Sequence, residues 1–89
     1  MRAVVTVMGV DRKGIISKVS TCLSDNNINI LDINQTIMQD IFTMVMLVDM
    51  SDSQAKFTAV SKELGEIGEE LGLEIRIQHE DIFRSMHRI

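Results

Sequence analysis

The sequence predicts an α+β domain with four strands and two helices in the order β-α-β-β-α-β. Two segments carry apolar residues at helical spacing, and strand-like segments flank both of them. A two-residue polar break divides the middle strand-like region into two strands joined as a hairpin. With both helices on one face of a four-stranded antiparallel sheet, this order is the ferredoxin-like split sandwich.

The first half of the chain supplies a strand, a helix and a second strand. Residues 3–8 are β-branched and apolar on both faces, which is typical of a central strand. Residues 14–26 repeat apolar side chains at helical spacing and end in polar turn formers. Residues 28–39 alternate like a strand, but the phase changes near Ile30 and Leu31, which predicts either a β-bulge or a change in what covers the strand.

The second half supplies two more strands around the second helix. Residues 39–40 predict a tight turn, and residues 41–50 a nearly continuous apolar strand. Residues 51–53 offer side chains that can cap the second helix, and Gly72 ends it. Residues 73–80 alternate apolar and polar side chains, which predicts a half-exposed edge strand. The apolar stripe of the second helix consists of Phe57, Val60, Leu64, Ile67 and Leu71.

We expect residues 1–80 to be a single domain and residues 81–89 to be a C-terminal amphipathic extension. Asp81 is a candidate N-cap for a short helix in that extension. The helix would cover the open face of the sheet or dock on a partner chain, because the two main helices cover only one face. Its large apolar residues are Ile82, Phe83, Met86 and Ile89.

Composition excludes several function classes. The net charge of −4 argues against nucleic acid and against an anionic membrane surface. A single cysteine, Cys22, allows no internal disulfide and indicates a reducing, cytoplasmic compartment. No apolar run is long enough to span a membrane. His79 and His87 match no common metal-ligand spacing, and we predict neither a metal nor a cofactor.

A core limited to 89 residues favours a homodimer or a higher homo-oligomer.

The turn between the first strand and the first helix is the most informative segment. It places Asp11, Arg12 and Lys13 between Gly9 and Gly14. Free N–H groups at a helix N-terminus, beside glycines that lack a Cβ, form a seat for a carboxylate or phosphate. With both charge signs nearby, a zwitterion such as a free amino acid would suit this seat. An ordinary β-to-α turn with solvated charges fits the pattern equally well.

Other functions of this topology need residues that the chain lacks. An RNA-recognition module needs stacking aromatics on its central strands, where only Phe42 is present. A P-loop needs Lys-Ser/Thr after its last glycine, whereas Ile15 and Ile16 follow Gly14. A small acyl-phosphate hydrolase that uses Arg12 stays open as a less favoured alternative, because no general base is evident.

Two short motifs stand at a distinctive spacing along the chain. Residues 11–15 read Asp-Arg-Lys-Gly-Ile, and Asn29 with Ile30 begins the second strand. They resemble the ACT-domain family of small-molecule regulatory modules, whose pattern is Asp/Asn-Arg-Pro-Gly before the helix and Asn-Ile/Val later. The chain looks most like small stand-alone bacterial ACT proteins, which are related to the ACT repeats of a glycine-cleavage transcriptional repressor.

The resemblance implies a non-enzymatic sensor that binds a small amino acid between two copies and signals to a partner protein. By position, Asp11 would take the ammonium group, and the N–H groups near Gly14 would hold the carboxylate. Asn29 would hydrogen-bond to either end of the ligand. Lys13 replaces the usual proline, which motivates the alternative of a structural dimerisation module with a decayed ligand site. The predicted ligand-binding residues are Gly9, Val10, Asp11, Arg12, Lys13, Gly14, Ile15, Asn29 and Ile30.

Overall fold

The computed structural model describes residues 1–86 and has the predicted order of elements. The strands form one antiparallel sheet in the order β2-β3-β1-β4, so the first and third strands are central, as predicted. Helices α1 and α2 pack on one face of the sheet, which confirms the ferredoxin-like split sandwich. The elements are β1 (Arg2–Val10), α1 (Ile15–Asp25), β2 (Asn29–Met38), β3 (Ile41–Asp49), α2 (Phe57–Leu71), β4 (Leu73–His79) and α3 (Glu80–Met86).

The core lies between the sheet and the two main helices. Alternate residues of β3 face the helices and are buried, which fits the strand periodicity of two. The helices pack against these residues with apolar stripes, in which Val19, Val60 and Leu64 are fully buried. No polar or charged side chain is buried anywhere in residues 1–86. The layer is therefore held together mainly by apolar burial.

Two local predictions for β2 are confirmed. The register with β3 shifts between Ile30 and Asp32, so Leu31 is the extra residue of a β-bulge. Beyond the bulge, Ile33 lies opposite the buried Met46 and shares its helix-side face. The hairpin turn is residues 39–40, as predicted, and Gln39 adopts the left-handed φ of 57° that glycine usually supplies.

The predicted cap of α2 is wrong. The helix begins at Phe57, four residues beyond the predicted cap, and Lys56 precedes it without a side-chain hydrogen bond. The Ser51 hydroxyl instead donates to Asp49 at 2.6 Å, and Ser53 accepts from the Ala55 backbone N–H at 3.2 Å. These side chains stabilise the connection between β3 and α2, which is longer than the pattern suggested.

Helix α3 lies on the outer face of the sheet, which is the face turned away from α1 and α2. It covers β1 and β4, where Val4 is only 6% exposed although it faces outward. Glu80 anchors the helix through ion pairs with Arg2 (2.8 Å) and Arg84 (3.3 Å). The helix begins at Glu80, so Asp81 lies in its first turn rather than at the cap. His87, for which no metal site is predicted, and Ile89, an apolar residue of the predicted extension, lie outside the described residues.

Candidate functional site

The first helical turn of α1 presents backbone donors without a side-chain cap. Gly14 stands at the N-cap in the left-handed region at φ 89°, and its carbonyl accepts the Lys18 N–H at 2.9 Å. The N–H groups of the first turn have no i−4 carbonyl within the helix. No acidic side chain occupies that turn, so the positive end of the helix dipole has no carboxylate of its own there.

A depression of about 230 Å³ opens beside this helix terminus. One side comes from the turn and from α1, and the other from β2 and β3. Its floor is mainly apolar, whereas donors and charges stand at its rim. Sequence reasoning missed Gln35 and Ile37, although their i, i+2 spacing beyond the predicted bulge could have placed both on the helix side. The lining residues are Asp11, Arg12, Gly14, Ile15, Ile16, Ser17, Gln35, Ile37 and Phe42.

Two charged residues of the turn also fix its position. The Asp11 backbone N–H donates to the Asp40 carbonyl at 2.8 Å, which ties the turn to the hairpin. Arg12 Nη1 donates to the Leu71 carbonyl at 3.2 Å, at the C-terminal end of α2. A guanidinium favours that negative end of the helix dipole. Arg12 therefore braces α2 against the turn while it lines the rim of the depression.

Gly9 and Val10 lie in β1 rather than in the turn. Gly9 pairs with Phe42 and Leu73, and a Cβ on Gly9 would stand 2.5 Å from Leu73 Cδ2. Its lack of a side chain thus serves the close approach of β4. Val10 follows the outward alternation of Met8, so its side chain lies on the opposite face from the depression.

Asn29 and Ile30 lie at the other end of the sheet. Asn29 pairs with Asp49, whereas the turn adjoins the end where Ile41 pairs with Met38. The 11 residues of α1 separate these ends by about 16 Å. Within one chain the two halves of the predicted site therefore do not meet. At its own end, Asn29 lines a second open depression of about 660 Å³ with Ser20, Ser24, Asn27, Ile28, Ile30 and Asp52.

The other candidate side chains have structural surroundings. Cys22 is buried, and its thiol donates to Glu63 Oε2 at 3.3 Å. Burial and that hydrogen bond raise the pKa of Cys22 from 9.0 to about 12. His79 stacks on Phe57 with ring centroids 4.3 Å apart. Among residues 1–86, no three His, Cys, Asp or Glu side chains are grouped closely enough to hold a metal ion. Over the same residues, no helix has both the length and the hydropathy to cross a membrane.

We expect native Cys22 to resist alkylation at pH 9, where an exposed thiol is about half ionised. The thiolate is the reactive form, and the raised pKa keeps Cys22 protonated up to about pH 12. Iodoacetamide labelling followed by mass spectrometry should be at least tenfold slower for the folded chain than for the chain in denaturant. Equal labelling rates would contradict the buried, protonated thiol.

The comparisons with known proteins agree with this fold. A family model described as the ACT domain matches residues 2–78. A UPF0237 protein of Methanocaldococcus jannaschii is 54% identical over 88 residues, covering 99% of this chain and 98% of its own. An ACT domain protein from Streptococcus pneumoniae superposes with a TM-score of 0.80 at 38% identity, covering 93% of each chain.

A longer protein shares the same fold. The crystal structure of a putative glycine cleavage system transcriptional repressor gives a TM-score of 0.76 at 28% identity. The match covers 86% of this chain and 44% of that one. The family match spans most of the chain, and the solved ACT structure agrees with the observed strand order and helices. The chain therefore belongs to the ACT-domain family, and it is a regulatory, ligand-binding kind of module.

Proposed function

We propose that the chain is a homodimeric sensor that binds a small amino acid between two copies and passes that state to a partner protein. The observation that carries the proposal is the uncapped N-terminus of α1, which opens into a depression beside an exposed edge of the sheet. Backbone donors at such a terminus suit the carboxylate of an amino acid. The rest of the binding groups must then come from across that edge.

The β2 edge supports pairing with a second copy. Ile33 and Ile37 lie on the helix side of β2 but are about half exposed, because α1 covers this strand only in part. The strand carries one charged residue, Asp32, and neither lysine nor proline. Proteins protect free sheet edges with charged residues and proline. The opposite edge strand, β4, carries two charged residues, Glu74 and Arg76. The contrast favours β2 as the strand that pairs.

Two-fold pairing along β2 would complete the site. A two-fold axis makes the two β2 strands antiparallel, so the Met38 end of one copy lies beside the Asn29 end of the other. The first depression of each copy would then adjoin the second depression of its neighbour. This joins the two halves that a single chain keeps apart, and it gives two equivalent sites per dimer.

The groups then available match a zwitterion. The N–H groups of Ile15 and its neighbours in the first turn would hold the carboxylate, and Asp11 would take the ammonium. Asn29 of the partner subunit would donate to one end or accept from the other. The apolar floor, formed by Ile37 and Phe42, leaves room for a small uncharged side chain.

A structural dimerisation module is the second candidate. Lys13 motivates it, because proline would fix the backbone φ before Gly14 and lysine does not. In that case the edge pairing would persist without a ligand. An acyl-phosphate hydrolase is less favoured than either, since Arg12 is engaged with Leu71 and the regulatory kind of module is not a catalyst.

The test is calorimetric titration of the chain with each free amino acid. We expect saturable binding of at least one, with one site per copy. Asp11→Ala and Asn29→Ala should each weaken it at least tenfold, which corresponds to about 1.4 kcal/mol. Asp81→Ala and Gln54→Ala, which remove the same kinds of group at exposed positions elsewhere, should leave binding unchanged.

Mixed dimers test whether the site is shared. Mixing Asp11→Ala chains with Asn29→Ala chains should restore one intact site per mixed dimer, because each copy supplies what the other lacks. A flat response of the wild-type chain to every amino acid would refute the sensor and favour the structural module. Binding without recovery in the mixture would place the site within one chain.

A further inference from the structure

We propose that the outer face of the sheet is a second self-interface, in which α3 of each copy packs on the uncovered part of that face in another copy. This inference concerns the face opposite the ligand depressions and does not depend on amino-acid binding. We call the uncovered part the bare half. Its large apolar residues are Val10, Met38, Ile41 and Val45, and Asn34, Thr36 and Thr43 lie among them on the same face.

The bare half is accessible and apolar at the end nearest the β2–β3 hairpin. Its four large apolar side chains are between 37% and 66% exposed, and the charged residues on the same face, Asp32 and Asp49, lie toward the other end of the strands. Val10, Ile41 and Met38 are direct neighbours, because Val10 pairs with Ile41 and Ile41 pairs with Met38, and Val45 lies beyond Thr43 on β3. A patch of this kind on a folded domain indicates an interaction site. Its uncharged end at Val10, Met38 and Ile41 matches a second apolar surface.

The other half of the same face shows what covers it within a single chain. Over β1 and β4, α3 lies on the sheet and reduces the exposure of Val4 to 6%. The groove between them is lined by Phe83 and Met86 of α3 against Thr6 and Met8 of β1 and Glu74, Arg76 and Gln78 of β4. Thus α3 of each copy covers one half of the outer face, and the other half has no cover within the same chain.

Helix α3 retains apolar surface of its own. Ile82 and Met86 stand one helical turn apart and are 50% and 59% exposed. A helix of seven residues is too short to be stable alone, so its conformation depends on what it packs against. Ion pairs to Arg2 and Arg84 hold Glu80 at the start of the helix, which leaves the Ile82 side available to a neighbour.

These two surfaces fit each other about a two-fold axis. When two outer faces meet, α3 of one copy stands beside α3 of the other, and each lies over the bare half opposite. The two helices then form a single layer between two sheets, as in ordinary layered folds. The molecule is a slab with extents of 35 × 34 × 19 Å. Each broad face therefore exceeds the roughly 800 Å² that a standard interface buries per partner.

The interface predicts a defined effect of charged substitutions. Val45→Glu on the bare half and Ile82→Glu on α3 should each halve the native mass measured by analytical ultracentrifugation. The halving is expected whether the starting assembly is a tetramer that also pairs along β2 or a dimer that uses this face alone. Thr58→Glu, on the exposed side of α2, is the matched control and should leave the mass unchanged. A thermal melt of each variant would verify that it still folds.

Cross-linking tests the exchange of α3 between copies. A chain with both Val45→Cys and Ile82→Cys should form covalent dimers with a short bifunctional maleimide, whereas either single variant should form at least tenfold fewer. Cys22 should not interfere, because it is buried. Cross-linking of the Val45→Cys single variant alone would instead show two bare halves stacked together, and it would overturn the exchange.

The outcomes separate this inference from the proposed sensor. Unchanged mass in both glutamate variants would refute the outer-face interface whatever the amino-acid titrations show. If Asp11→Ala loses amino-acid binding while Val45→Glu and Ile82→Glu keep the wild-type mass, the result would support the sensor and refute the outer-face interface. Halved mass in Val45→Glu with no amino-acid binding by the wild-type chain would support the interface and refute the sensor.

Discussion

Replacing Gly68 with alanine is expected to lower the free energy of unfolding by about 2 kcal/mol, as overpacking of a tight contact does. Gly68 is the point where α2 approaches β4, and a Cβ there would stand 2.7 Å from the Leu73 carbonyl oxygen. That oxygen belongs to the backbone, so relief requires the helix and strand to separate. The gain in helix propensity from alanine, about 1 kcal/mol, is too small to offset this strain.

Gly65 is the matched control for that prediction. It lies in the same helix, but a Cβ there would meet no atom within 4 Å outside its local backbone. Gly65→Ala should therefore raise the free energy of unfolding by about 0.5–1 kcal/mol. Urea titration followed by circular dichroism would measure both variants. Destabilisation by the two substitutions alike would contradict the close approach of α2 and β4.

Replacing Ile33 with lysine is expected to abolish pairing along β2. Ile33 is 44% exposed in a single chain, so a lysine there can reach solvent and the fold should survive. In a β2-paired dimer the same charge would be trapped near its own symmetry mate and deprived of water. We expect at least a hundredfold weaker association along that edge, together with loss of the amino-acid response.

The control for Ile33→Lys is Ser61→Lys, at an exposed position on α2. It adds the same charge far from the edge and should change neither association nor ligand binding. Sedimentation velocity over a range of concentrations would measure the association, and a thermal melt would confirm that both variants fold. Retention of the wild-type mass by Ile33→Lys would refute pairing along β2.

Much of the fold could be predicted because its signals are local. The stripe of α2 and the end of that helix at Gly72 depend only on helical spacing and on a left-handed glycine. The bulge at Leu31 was readable because one extra residue reverses the alternation that follows. The hairpin turn was found although Gln39 stands where glycine is usual.

The start of α2 could not be read in the same way. Ser51 is a good capping residue in isolation, but its hydroxyl binds Asp49, which is nearby only because β3 ends there. Likewise, the sequence offered Arg12 as a candidate binding residue but gave no sign that its side chain also donates to the Leu71 carbonyl at the end of α2. Such competition between partners depends on which segments meet, and a linear pattern does not contain that information.

The candidate site shows the same division. The sequence identified the turn at residues 11–15, because glycine and a helix start mark it locally. It did not identify Gln35 and Ile37, which join the depression only because β2 lies beside the turn in space. Nor did it show that Asn29 stands at the opposite end of the sheet. The turn and Asn29 can therefore share one ligand only if they come from two different copies of the chain.

The sequence by itself determined the order of elements, the faces that each element buries and the position of the glycine turn, since these follow from periodicity and backbone conformation. Only the tertiary structure decided that Gly68 is a contact and Gly65 is not, that Arg12 braces α2, and that the β2 edge and half of the outer face are left uncovered. The physical reason is that burial and close approach are properties of pairs of segments distant in the chain, and folding fixes those pairs.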